Sequence, residues 1–275
     1  MRPADLDEGD EMLAALRRAL ATQDSWTAAG AIPLNFPTYH PQGMVRIGEF
    51  IFLSSVRVPG NPGEREGVGY LFKIDLAGEL ADRTELGDGV RYHPGGIDFD
   101  GRSIWVPVAE YSPDSSSEIV RVDPDSLAVE PAFSVADHIG ALAFDRRAGV
   151  LHGFTWAARG KYAWTPAGDA LAGPVRLERP DSAFAAAYQD CQCVGSGLAL
   201  CGGTTRIDGA YAGSLDLVDL ANDRVERQLA VDLRPPGSER PMTHNPLFGE
   251  LRSGAVRFYF APEDDRTTIY RYDSA

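Results

Sequence analysis

Apolar residues in this chain fall in short alternating runs rather than long helical stripes, and the runs recur. One unit opens His40-Pro-Gln-Gly-Met-Val-Arg-Ile47 and continues Phe50-Ile-Phe-Leu53; another opens His93-Pro-Gly-Gly-Ile-Asp-Phe99 and continues Ser103-Ile-Trp-Val106. Weaker copies start at His138, near Tyr188-Gln-Asp190, and at His244. Later in four of the five units an alternating strand ends in aspartate before a turn, at Asp75, Asp123, Asp219 and Asp273. An aspartate there accepts from backbone two residues on and starts the turn. Four period-two strands in each unit of roughly 50 residues spell a propeller blade. The pattern predicts an all-β, five-bladed β-propeller with blades starting near residues 40, 93, 138, 189 and 244.

The ends of the chain carry two further expectations. The fifth unit stops at Ala275 after only three strands, while Ala31-Ile-Pro-Leu-Asn-Phe36 reads as a strand without a partner. An N-terminal strand that completes blade five would close the ring and leave no open edge. Before it, Met12, Leu13, Leu16 and Leu20 sit at helical spacing, which predicts a short helix over 7–22 that packs on the outside of the ring. Residues 1–25 thus read as a helical extension and 26–275 as the propeller.

Composition narrows the partners. The formal net charge is −14, and an acidic chain lacks the basic face that nucleic acid or anionic lipid requires. No apolar run approaches the roughly 20 residues of a membrane span. The first residues are acid-rich where a secretory signal is basic. The three cysteines, Cys191, Cys193 and Cys201, are too few and too crowded for a secreted disulfide framework. They read as buried inert thiols in a reducing cytoplasm.

Four of the five histidines, His40, His93, His138 and His244, stand at the start of a blade, with Gln189 and Asp190 in that place in blade four. The first strand of a blade lies against the central channel, so these side chains are expected to meet at one mouth. There they would bind a small molecule, or a divalent transition metal such as Zn, Fe or Mn held by His40, His93, His138 and His244. The plainer reading is a polar position that satisfies backbone groups at each blade start; His40 and His93 also precede proline, which favours extended backbone. Loops between second and third strands share that face. They add Glu110 as a proton-transfer candidate beside His93 and His138, and Tyr111, Trp156, Arg206 and Glu263 as substrate contacts with His40, Gln189 and Asp190. Arg206 would clamp a carboxylate.

The stretch His93 to Tyr111, with Thr38-Tyr-His-Pro-Gln-Gly43 and Tyr188-Gln-Asp-Cys-Gln192, resembles an uncharacterised family of bacterial and fungal propeller proteins, over Trp26 to the C-terminus. That resemblance implies the fold and no established activity. More distantly, the blade starts are similar to those of gluconolactonase and strictosidine-synthase-like propellers. Those have six blades and a glutamate where His93 stands, so neither their metal nor their reaction transfers. The residues support a small-molecule enzyme of hydrolase, lyase or isomerase type at the histidine-lined mouth, against a non-catalytic ligand- or protein-binding propeller.

Overall fold

The computed structural model describes residues 3–59 and 67–275. Five antiparallel sheets follow one another along the chain. Blade one comprises His40–Ile47, Phe50–Arg57, Val68–Asp75 and Leu80–Leu86. Blade two has its inner strand in two pieces, His93–Pro94 and Asp98–Phe99, followed by Ile104–Ala109, Ser117–Val122 and Val129–Val135. Blade three runs Ile139–Asp145, Val150–Thr155, Lys161–Trp164 and Ala170–Val175. Blade four is Ala187–Gly195, Leu198–Ile207, Ala210–Asp219 and Arg224–Val231. Blade five takes Leu247–Arg252, Ala255–Phe260 and Thr268–Asp273 from the end of the chain. Its outermost strand is Thr27–Pro33, antiparallel to Thr268–Asp273. The ring is therefore closed by the N-terminal strand, as the missing fourth strand of the last unit required.

The helix spans Pro3–Ala19 and does not merely lie against the outer surface. Leu16 is fully buried, and Met12, Leu13, Ala15 and Leu20 join it among Leu198, Leu217, Val256 and Phe258 of blades four and five. Arg17 pairs with Glu226 at 2.7 Å, and Trp26 Nε1 donates to the Ala19 carbonyl. None of the described helices is long and apolar enough to cross a membrane.

The cysteines correct the expectation of free thiols. Cys191 and Cys201 face each other across adjacent strands and form a disulfide; only Cys193 is free. The case for a reducing compartment built on inert thiols loses its footing.

The inner strands share one irregularity that the repeat alone does not show. Pairing slips between Pro41 and Gly43, between Ile139 and Ala141, and between Tyr188 and Asp190. The bulged residues are Gln42, Gly140 and Gln189, and in blade two the strand is interrupted at Gly95. A bulge adds one residue and re-aims its side chain. Counting back from the bulge, His40 and His138 correspond to Ala187 in blade four, while Asp190 corresponds to Gly43, Gly96 and Ala141.

That correspondence explains the closed waist of the channel. A Cβ on Gly43 would lie 2.6 Å from the Ile97 nitrogen, and one on Gly96 would lie 2.7 Å from Asp190 Oδ1. Small residues in three blades make room for one carboxylate from the fourth. Asp190 Oδ2 accepts from the Met44 N–H at 2.8 Å, and Oδ1 accepts from Ile97 and Cys191 at 3.0 and 3.1 Å. Two residues past Gly96 on the blade-two inner strand, Asp98 Oδ2 accepts from Phe144 and Cys193 at 2.8 and 2.9 Å. Gln192 exchanges two hydrogen bonds with the backbone of Gly249. Blades one to four are stapled through two carboxylates, and blade five through an amide.

Candidate functional site

At the end of the channel where the inner strands begin, a cavity of about 160 Å3 is lined by His40, Gln42, His93, Tyr111, His138 and Trp156, among others. The bulge brings Gln42 and Gln189 to it, and Ala187 borders it where a fourth imidazole would stand. The histidine position is thus real in blades one to three and vacated in blade four.

His93 is the centre of an aromatic cluster. Its ring lies 4.3 Å from Tyr111, 5.5 Å from His138 and 6.3 Å from Trp156, centroid to centroid. Trp156 stands edge-on to His138 at 4.6 Å. The turn that carries Trp156 is unusual: Ala157 and Ala158 have φ of 57° and 50°, a left-handed conformation that non-glycine residues seldom adopt. The Trp156 backbone N–H donates to the His138 carbonyl at 3.0 Å, which ties the two backbone segments together beneath their packed rings.

Burial keeps these imidazoles neutral. Desolvation drives His93 well below the usual histidine range, helped by His138 and His40 nearby, and its Nδ1 is buried without a hydrogen-bond partner among the described residues. Desolvation lowers His138 to about 4, partly opposed by the hydrogen bonds its Nδ1 makes to the Ser112 and Glu110 carbonyls. Carbonyls only accept, so Nδ1 of His138 carries the proton and Nε2 keeps its lone pair. Tyr111 is raised above the ordinary tyrosine range, mainly by burial.

Several expected residues are placed elsewhere, and each displacement has a physical reason. The Glu110 carboxylate folds back onto its own loop, accepting from Ser116 N and Oγ, so its contribution to the site is the carbonyl that holds His138. Glu263 likewise accepts from Thr267, Thr268 and Tyr270 within blade five. Asp190 lies in the waist, fully occupied by backbone N–H groups. Arg206 is exposed, its guanidinium 4.1 Å over the Tyr211 ring at the tip of a blade-four hairpin, away from the cavity. His244 belongs to a 3-10 helix, Met242–His244, ahead of an inner strand that has no bulge, and its ring meets Tyr211 at 5.4 Å.

The four-histidine metal set is therefore not assembled. His244 is displaced into its 3-10 turn, with its ring against Tyr211. Among the described residues no group of three or more His, Cys, Asp or Glu is gathered as a metal would need.

Sequence reading missed Asp264. It accepts from Nδ1 of His40 at 2.7 Å, from Arg240 at 2.8 Å and from Asn245 at 3.1 Å. Burial pushes its carboxyl up, but these three partners, His40 foremost, hold it well below the usual carboxylate range. Glu263 and Asp264 share the loop between Ala255–Phe260 and Thr268–Asp273, and no periodicity predicts which of the two carboxylates turns toward His40.

A second, larger cavity of about 480 Å3 lies at the opposite end of the ring, between Gly9 and Met12 of the helix, Arg146, Cys193 and Phe248. Burial pushes the Cys193 thiol up to about 12, which leaves it a poor nucleophile.

Fold and site together define a five-bladed β-propeller with a histidine- and aromatic-lined mouth. Residues 10–275 match the family of unknown function DUF6454, and the chain belongs to that family. No curated protein matches it. Similar solved structures include the PQQ-bound aldose sugar dehydrogenase of Streptomyces coelicolor, at 11% identity and a TM-score of 0.52 over 91% of this chain and 98% of that one. The WD40 repeats of RRP9 are similar at 12% identity and a TM-score of 0.44, over 89% and 83% of the two chains. At such identities the likeness is one of fold.

Proposed function

We propose that the protein is a small-molecule enzyme, of hydrolase, lyase or isomerase type, whose chemistry is proton transfer by neutral imidazoles at the histidine-lined mouth. The observation that carries this reading is the packing of His93 against His138, Tyr111 and Trp156 around one cavity, with both imidazoles kept neutral by burial. A neutral imidazole can accept a proton through its free nitrogen in the transition state, and its conjugate acid returns the proton. None of the described residues lining the cavity is Ser, Thr or Cys, so the lining favours proton transfer over a covalent acyl route. The Tyr111 and Trp156 rings suit a planar or apolar portion of a substrate.

The reading is tested by screening a metabolite library by thermal shift, then following each hit by NMR for conversion. Hits should stabilise the native protein, be consumed, and be lost as ligands in Trp156→Ala and as substrates in His93→Ala. Hits that bind and remain unchanged would establish the non-catalytic binding propeller instead. Hits indifferent to both substitutions would move the site elsewhere.

A further inference from the structure

We infer that His40 and Asp264 form a working acid–base pair, in which Asp264 fixes the His40 tautomer and His40 Nε2 is the proton acceptor of the cavity. The inference rests on the proposed acid–base reading and assigns it a base.

The geometry fixes the roles of the two ring nitrogens. Asp264 Oδ1 lies 2.7 Å from His40 Nδ1, and an ionised carboxylate can only accept, so Nδ1 carries the proton. Arg240 and Asn245 donate to the same carboxylate and keep it ionised. In the neutral ring Nε2 is then the nitrogen that keeps its lone pair. It has no hydrogen-bond partner among the described residues, and His40 borders the cavity beside His93.

The backbone gives a second, independent observation. Tyr39 and Asp265, the residues adjoining the pair, both adopt left-handed conformations, with φ of 55° and 64°. They meet in an isolated bridge, Asp265 N donating to the Tyr39 carbonyl at 2.5 Å and Thr38 N to the Asp265 carbonyl at 2.7 Å. Blade one and the last loop of blade five are thus clamped through two strained residues, one on each side of the pair. Strain of this kind persists where surroundings over-determine it, and it clusters at active sites. Stability is a poor reason for the arrangement, because the His40 and Asp264 side chains are 32% and 35% exposed and ion pairs that open to water contribute little. A carboxylate that orients an imidazole and holds it in one tautomer is the logic of hydrolytic triads.

The test needs no knowledge of the natural substrate. 5-Nitrobenzisoxazole is planar, and its ring opens when a base removes the C3 proton: the C–H pair becomes part of the nitrile, the N–O bond breaks, and the oxygen leaves as phenolate. The proton passes to Nε2 and then to water. Binding is read from the fluorescence quench lost in Trp156→Phe, turnover from phenolate absorbance, and tautomers from imidazole 15N shifts of the full-length protein. The wild type should show an unprotonated Nε2 on His40 and saturable turnover. In Asp264→Asn the amide should invert the tautomer, and turnover should fall about a hundredfold with probe affinity unchanged. Asp264→Glu should restore part of it, and Arg206→Ala should behave as wild type. If Asp264→Asn does not fold, His40→Gly carries the test: turnover should be lost and recovered with added imidazole. A wild type that binds the probe without turning it over, a protonated Nε2, or wild-type turnover in Asp264→Asn or in His40→Gly without imidazole would overturn the pair. Turnover that survives in Asp264→Asn but needs His93 sinks only this inference, whereas failure of the probe to bind counts against both the pair and the proposed cavity.

Discussion

The waist and the mouth of this channel are built from the same repeat and treat polar atoms in opposite ways. At the waist the Asp190 and Asp98 carboxylates and the Gln192 amide are occupied by backbone groups. At the mouth, a few residues earlier on the same strands, His93 Nδ1 is buried without a partner among the described residues and His138 Nε2 keeps a lone pair toward a cavity. Buried polar groups are ordinarily matched, so the waist is what stability alone would produce. The mouth departs from that rule at the residues the inner strands deliver to one place. One motif yields both because the irregularity after His40, His93 and His138 separates them: before it side chains face the cavity, and after it small residues admit the Asp190 strut.

The comparison can be broken most forcefully at the strut. Asp190→Ala leaves the N–H groups of Met44, Ile97 and Cys191 buried without an acceptor and opens space between blades one, two and four. Each lost partner of that kind costs about 1–3 kcal/mol, and the expected total is about 3–5 kcal/mol, read as a fall in the urea midpoint at unchanged slope. A change below about 1 kcal/mol would show that the waist does not hold the ring. Burial raises the Asp190 carboxyl well above the usual carboxylate range, against the pull of the Met44 and Ile97 N–H groups and with a push from Asp98. Asp98 itself is raised by burial to about 6.

How far these two regions could be read from the chain differs for the same reason. The blade count, the closing strand and the convergence of His40, His93 and His138 follow from period and spacing, which are properties of sequence. Asp190 was read as a blade-four counterpart of the histidines because the repeat alone does not show where a strand gains a residue. With the bulge at Gln189, the histidine position falls on Ala187 and the aspartate on the glycine position. His244 failed similarly: the motif residue is present, but its strand runs without a bulge and the histidine winds into a 3-10 turn. Glu110, Glu263 and Arg206 are on the predicted face, yet their side chains find local partners that loop sequence does not disclose. The disulfide was missed because strand register, which sets Cys191 opposite Cys201, was not fixed.

A smaller effect tests the mouth by pH. His138 takes a proton near pH 4 when folded and near the ordinary 6.5 when unfolded. Between those values the unfolded chain binds the proton and the folded one does not. The His138 contribution is therefore fully present above pH 6.5 and is lost as pH falls toward 4, about 3 kcal/mol in all. Asp98 works in the opposite sense over an overlapping window, since the folded state protonates first, and the other buried histidines and Asp190 add shifts of their own, so the wild-type curve alone mixes several groups. The difference between wild type and His138→Gln isolates the histidine. It should shrink as pH falls from 7 to 4.5 in chemical denaturation; a difference independent of pH would mean that His138 is not buried neutral.

The smallest effect sharpens the contrast by reversing its sign. If His93 is retained for chemistry, the ring without a partner for Nδ1 is a burden on the fold, and an apolar side chain of similar volume should relieve it. His93→Leu removes a buried polar atom that lacks a hydrogen-bond partner among the described residues, at the loss of the 4.3 Å contact with Tyr111. Desolvation relief of about 1–3 kcal/mol against an aromatic contact of about 0.5–1.5 kcal/mol leaves a net gain of about 1 kcal/mol. The matching substitution at the waist, Asp98→Leu, should destabilise, because Phe144 and Cys193 lose their acceptor. Melting curves of the two variants at pH 7.5 decide the matter. A stabilised His93→Leu that no longer binds the ligands of the wild type would place the cost of the mouth on function. A destabilised one would mean that His93 serves packing, and that the two ends of the strand obey the same rule after all.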